Sequence, residues 1–182
     1  MNELTVVRKH EKLKDITLYF FIYSFIGWVL ETIYAFLVLG HFVKRGFLIG
    51  PICPIYGFGA VLLILLLKNS KGKPLSQFLI AGFTFTVFEY VVSYMLEVVF
   101  GLRWWDYSED LLNLQGRVSL SYSIIWGALG ILLIEGIHPY ISKLLEKYKK
   151  RINTRYQDFI ILILVIVCIV DFVFSSIEYL KP

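Results

Sequence analysis

Six carboxylic acids stand inside stretches of sequence that are otherwise apolar enough to cross a membrane: Glu31, Glu89, Glu97, Glu135, Asp171 and Glu178. A charged group near the centre of a bilayer costs roughly 2.5 kcal/mol or more, even on lenient insertion scales. Residues that costly pair with one another, carry protons or meet a ligand. The basic groups suited to them are Arg45, Arg103 and Arg117. A guanidinium pairs with a carboxylate through two parallel hydrogen bonds and stays charged when partly buried. Internal ion pairs that only fix helix packing are the alternative use of the same residues.

These side chains recur at helical spacing. Ser24, Gly27, Glu31 and Tyr34 fall on one face of a helix, as do Gly82, Thr86, Glu89, Ser93 and Glu97, and again Asp171, Ser175 and Glu178. Ser119, Ser123 and Gly127 make a stripe of small residues that lets a neighbouring helix come close. The elements that must position them are membrane spans. Of the 182 residues, 58% are hydrophobic, against roughly half in an ordinary soluble domain, and the mean hydropathy is +0.70. The apolar residues cluster in blocks at 16–39, 47–67, 77–100, 118–138 and 158–179, each near the roughly 20 residues that cross a hydrocarbon core. The expected fold is an all-α membrane protein of about five transmembrane helices, forming a single integral membrane domain over 1–182. The first block is too long for a signal-peptide core and lacks a small-x-small cleavage site, so it reads as a retained helix.

Thirteen of the eighteen Lys and Arg fall in residues 1–15, 68–76 and 139–157, which places the N-terminus in the cytoplasm and the C-terminus outside. Residues 1–15 read as a cytoplasmic segment, an interfacial helix or a loose tail. The stretch Ser142 to Gln157 alternates apolar and basic residues, as an amphipathic helix on a lipid surface does; docking a cytoplasmic partner is the sharper use of it. The net charge of +4 comes largely from these loops and matches anionic lipid, with nothing to indicate nucleic acid. The second block contains Gly50, Pro51, Cys53, Pro54, Gly57 and Gly59. Its prolines remove backbone donors and disfavour helix just before them. Regular helix is therefore expected from about Pro54, with 46–53 bent or re-entrant and the break at the outer end. Cys53 and Cys168 read as small apolar residues, and His10, His41 and His138 have no metal-ligand spacing. There is no phosphate loop, H-E-x-x-H or G-x-S-x-G elbow, so no cofactor, metal or catalytic residue is assigned.

With the N-terminus inside, Glu31, Glu89 and Asp171 fall at or slightly outward of the midplane, and Glu97 and Glu178 near the outer boundary. Glu135 alone lies toward the cytoplasm. Arg45, Arg103, Asp106 and Arg117 sit in the outer loops or at span ends. The expectation is one chamber in the outer half of the bundle, lined by Glu31, Glu89, Ser93, Glu97 and Asp171 and charge-balanced by the three arginines. Trp104, Trp105 and Tyr107 belong to an aromatic belt or to a lid over the chamber, with Asp106 beside them.

Several motifs carry a family resemblance: Gly27-Trp28-x-x-Glu31; Arg45-Gly46-Phe47-Leu48-x-Gly50-Pro51-x-Cys53-Pro54-Ile55-Tyr56-Gly57; Glu89-Tyr90 with Ser93 and Glu97; Trp105-Asp106-Tyr107-Ser108; and Asn113-x-x-Gly116-Arg117. In this order they resemble the CmpB-like family of type IV ABC-transporter permeases, small bacterial membrane proteins. Lys44 stands where that family often has Asn, and Ser119 where it often has Cys. The resemblance implies transport, adds Tyr56 to the candidate chamber, and implies a separate ATPase subunit docking on 68–76 and 139–157. The expected function is a multi-pass transport component of the cell membrane, acting on a small or lipid-linked substrate with an ATPase or as a homo-oligomer. A membrane-embedded enzyme acting on a lipid-linked substrate, and a non-catalytic interaction or sensor subunit, are the alternatives.

Overall fold

The structure is a computed structural model describing residues 3–181, with side chains from residue 11 onward. Among the described residues it is helical, with no strand beyond one antiparallel bridge between Leu114 and Val118. The helices are α1 (Glu3–Leu39), α2 (Pro54–Leu67), α3 (Pro74–Phe100), α4 (Leu120–Leu132), α5 (His138–Arg151) and α6 (Thr154–Tyr179). A π turn, Leu133–Ile137, joins α4 to α5, giving one helical run over Leu120–Arg151. Four runs are long and apolar enough to cross a membrane: Glu11–Leu39, Pro74–Phe100, Leu120–Arg151 and Thr154–Tyr179. The 14 residues of α2 reach only about 21 Å, short of the roughly 30 Å hydrocarbon core.

Local chemistry sets the boundaries. Pro54 and Pro74 open α2 and α3, where a missing N–H costs nothing. Gly101 closes α3 in the left-handed region at φ 66° and donates its N–H to Glu97 O. Ser119 caps α4 by accepting the Tyr122 N–H, and Asn153 caps α6 by accepting that of Arg155. Pro139 has no N–H for the carbonyl four residues back. The ladder shifts there, and the His138 N–H donates to Leu133 O, five residues back.

Two expectations change and one holds. Residues 3–15 are neither tail nor separate element but the start of α1, since no Gly or Pro interrupts the chain before Gly27. Residues 46–53 form no helix, as Pro51 and Pro54 lead one to expect, and regular helix starts at Pro54. The basic stretch 142–157 is not one helix: α5 continues the fourth span to Arg151, Ile152 and Asn153 make the turn, and α6 starts at Thr154. Gln157, 5% exposed, holds that turn by donating to Lys149 O and Ile152 O, carbonyls that the end of α5 leaves without helical donors.

The chain divides into two compact units, Met1–Val61 with Glu146–Pro182, and Leu62–Leu145. In the first, Lys14 is buried and bridges Glu11 and Asp158 at 3.2 and 2.6 Å, while Lys149 reaches Glu11 and Asp15 at 3.1 and 2.7 Å. This network ties α1 to α5 and α6. In the second unit, Leu63, Leu67, Ala81, Phe85 and Ile134 form the core, with Phe88 and Trp126 against it. Here α3 and α4 pack at backbone distance: a Cβ at Gly82 would stand 2.9 Å from Ser123 O, and one at Gly130 would overlap Ala81. Close small-residue packing of this kind replaces the hydrophobic driving force that lipid removes.

Candidate functional site

In the first unit the polar residues gather on the non-helical segment between α1 and α2. Arg45 Nη2 lies 2.9 Å from Glu31 Oε2, with Nε of the same guanidinium also donating to that oxygen, and the Tyr56 hydroxyl donates to Oε1. Gly27, one turn before Glu31, makes room for the Tyr56 ring, which a methyl group there would overlap. Asp171 on α6 accepts the backbone N–H groups of Ile49 and Gly50, both at 2.8 Å, and the Ser175 hydroxyl at 3.1 Å. Phe47 packs on Phe172 and Tyr179. The Cys53 N–H donates to Ser24 O on α1. Asp171 thus accepts backbone N–H groups that no helix satisfies, while Glu31 holds the segment through side chains.

In the second unit the polar face of α3 meets α4 and the segment 101–119, residue by residue. Gly82 and Thr86 face Ser123, whose hydroxyl is 2.7 Å from that of Thr86. Glu89 follows, 6% exposed. One of its oxygens accepts the Tyr107 hydroxyl at 2.9 Å and the other the Trp126 indole N–H at 3.1 Å. Tyr107 stacks on Tyr122 and Trp126 on Phe85, with ring centroids 4.1 and 4.6 Å apart. Among the described residues no Lys, Arg or His stands within ion-pair distance of Glu89, whose donors are both neutral. Ser93 and Glu97, further along the face, are taken by Arg117 at 3.2 and 2.6 Å. That guanidinium also lies over the rings of Tyr90 and Tyr94, and its buried Nε has no hydrogen-bond acceptor.

The segment that delivers Tyr107 and Arg117 is held by its own turn chemistry. Gln115 and Gly116 both take positive φ, 55° and 66°, and the Arg117 N–H closes the turn on Leu114 O. This is the pattern of a hairpin turn for which glycine is the natural residue. Asn113 accepts the Gly116 N–H and donates to Ser108 O and Asp110 O. The Trp105 indole donates to Arg117 O, and Arg103 donates to Gln115 O. Asp106 accepts both the hydroxyl and the N–H of Ser108. The Ser108 hydroxyl first, then its N–H, with Arg103 adding charge attraction at 3.6 Å, hold the Asp106 carboxyl below the usual carboxylate range.

The expected residues therefore fall into two groups, each held within its own unit: Glu31, Arg45, Tyr56 and Asp171 in one, and Glu89, Ser93, Glu97, Arg103, Asp106 and Arg117 in the other. Each arginine meets a carboxylate. Arg117 goes to Glu97 and leaves Glu89 to neutral donors. Trp126 as a Glu89 donor escaped the sequence reading, although it follows Ser123 by three residues and so shares the α4 stripe. Gln77 was missed too: it is fully buried and donates to Glu135 and to Ser70 O. Among the described residues, no three His, Cys, Asp or Glu converge as metal ligands would.

A chain with four helical runs long and apolar enough to cross a membrane among its described residues is a membrane protein. It belongs to the family described as Putative ABC-transporter type IV (ABC_trans_CmpB), whose family model matches residues 18–176. No curated protein and no solved structure matches it.

Proposed function

We propose that this chain is the membrane-embedded, permease-like component of a transport system, and that Glu89 is the centre of its substrate site. One observation carries this reading: among the described residues, Glu89, buried halfway along an apolar helix, has only two donors, the neutral Tyr107 and Trp126. A buried carboxylate without a counter-ion is balanced by a proton or by a cationic group brought from outside. Each of its two oxygens keeps a lone pair for a further donor. Ser93, Glu97 and Arg117 extend the site along α3, with Arg103 and Asp106 holding the segment above it. Glu31, Arg45, Tyr56 and Asp171 hold the bent lead-in to α2 in place. The charge distribution supports an N-terminus inside, a C-terminus outside and a site open to the outer face of the cell membrane, with α2 and its lead-in making the fifth crossing. Family membership supports a separate ATPase subunit, which would dock on 68–76 and 139–157 or serve a homo-oligomer of the chain.

Purification in mild detergent from cells expressing the tagged chain tests the assembly, and an ATP-hydrolysing protein is expected to co-purify. Glu89→Gln tests the site. The Gln carbonyl accepts from Trp126 while its amide donates to the Tyr107 oxygen, so the fold survives. Cells carrying this variant are expected to show the solute profile of cells lacking the chain. A wild-type profile in those cells, or purification without any ATPase, contradicts the respective half of the reading.

A further inference from the structure

The second unit carries another polar cluster, at the end of α2 away from Glu89. A half-open cavity of about 290 Å³ lies where the last turn of α2 meets the π turn and α5. Its floor is apolar, formed by Ile64, Leu67 and Ile134, and its rim carries Lys68, Lys71, His138 and Ser142. At ~30 Å³ per water this is room for roughly ten waters, enough for a phosphodiester headgroup and the first methylenes beneath it.

The cluster is a built site, because the loop bearing the lysines is fixed. Glu135, in the π turn, accepts the Gly72 N–H at 2.7 Å and the side chain of fully buried Gln77. Gln77 also holds Ser70 O at 2.8 Å, and the Ser70 N–H closes on Leu67 O. The π turn, a feature frequent at functional sites, thus sets both the floor and the lysine loop. Both bonds fall on Oε1 of Glu135, and Lys71, though within its charge attraction, lines the cavity rim without an ion pair to it among the described residues.

We infer that this cavity binds the headgroup of an anionic phospholipid. The ligand chemistry is a phosphate anion joined to an apolar chain: lysines, imidazole and hydroxyl for the phosphate, aliphatic floor for the chain. The position fits a lipid rather than a free phosphate, because the cavity opens where apolar α2 ends at Leu67, with Lys68 next in the chain and the neighbouring Leu65 and Leu66 exposed. Basic pockets between helices at a membrane surface recognise anionic headgroups through this combination.

The test is native mass spectrometry of the full chain in detergent with added phosphatidylglycerol or phosphatidylcholine of equal chain length. The wild type is expected to retain phosphatidylglycerol preferentially. Retention is expected to fall about fivefold for each lysine lost in Lys68→Gln and Lys71→Gln. It recovers in the double Arg variant and is unchanged in Lys147→Gln, which lies off the cavity. Both lysines are exposed, so these variants fold. Equal retention of the two lipids, undiminished phosphatidylglycerol on the double Gln variant, or displacement of the lipid by equimolar glycerol phosphate overturns the assignment. Loss of a co-purifying protein from the double Gln variant, with lipid retention intact, assigns the cavity to that protein instead and also overturns it.

Discussion

Two irregular segments, 40–53 and 101–119, are held in different ways by acids on apolar helices. Around residues 45–50, each carboxylate is matched: Glu31 by a guanidinium and a phenol, Asp171 by two backbone N–H groups and a serine. Glu31 is 29% exposed in its side chain, so its charge keeps some contact with the surroundings. Around residues 105–117, Arg117 and Glu97 repeat that ionic solution, while Glu89, at 6% exposure, has only a phenol and an indole. A matched acid is explained by the segment it holds. An acid with burial and no counter-charge is not, and this difference singles out Glu89.

The comparison can be broken in order of effect. Arg117→Ala removes the 2.6 Å pair with Glu97, the Ser93 bond and the cover over Tyr90 and Tyr94. Because Glu97 is half-exposed, the expected loss is about 2 kcal/mol, below that for a fully buried pair. Thermal unfolding in detergent checks it, and Arg117→Lys should recover part of the loss. Glu31→Ala leaves Arg45 and Tyr56 without their shared acceptor, in a more exposed setting. A loss of about 1 kcal/mol is expected, with faster hydrogen exchange confined to residues 45–53. The smallest effect is a pH response. The Asp106 carboxyl titrates below its ordinary 3.8 because its charged form is the bonded one. Its contribution is therefore present above that value and fades as pH falls through the lower, folded one. The protection of the Ser108 amide, its exchange rate measured against the intrinsic rate at each pH, should fall over that acid range and stay flat above it. Asp106→Asn should abolish the pH response.

Much of this was legible in residue type and spacing. Periodicity placed Gly82, Thr86, Glu89, Ser93 and Glu97 on one face, and that face is the one α4 and its preceding segment cover. Pro54 marked the start of α2, because proline suits a first turn and disfavours helix just before it. Partner choice was not legible. Whether Arg117 meets Glu89 or Glu97 depends on a turn whose geometry rests on Asn113, Gln115 and Gly116 acting together across sequence. The length of the helical run to Arg151 was also hidden, because Pro139 reads as a helix end unless a π turn absorbs it.

The most direct measurement sets Glu89→Gln beside Glu31→Gln, scoring thermal stability in detergent and the cellular solute profile of each. The expected result is a division. Glu89→Gln keeps its melting temperature within a few degrees and loses function, while Glu31→Gln melts lower and retains function at equal amounts of folded protein. If Glu89→Gln melts lower and still functions, Glu89 is a packing clamp like Glu31, and its assignment as the centre of a substrate site is wrong.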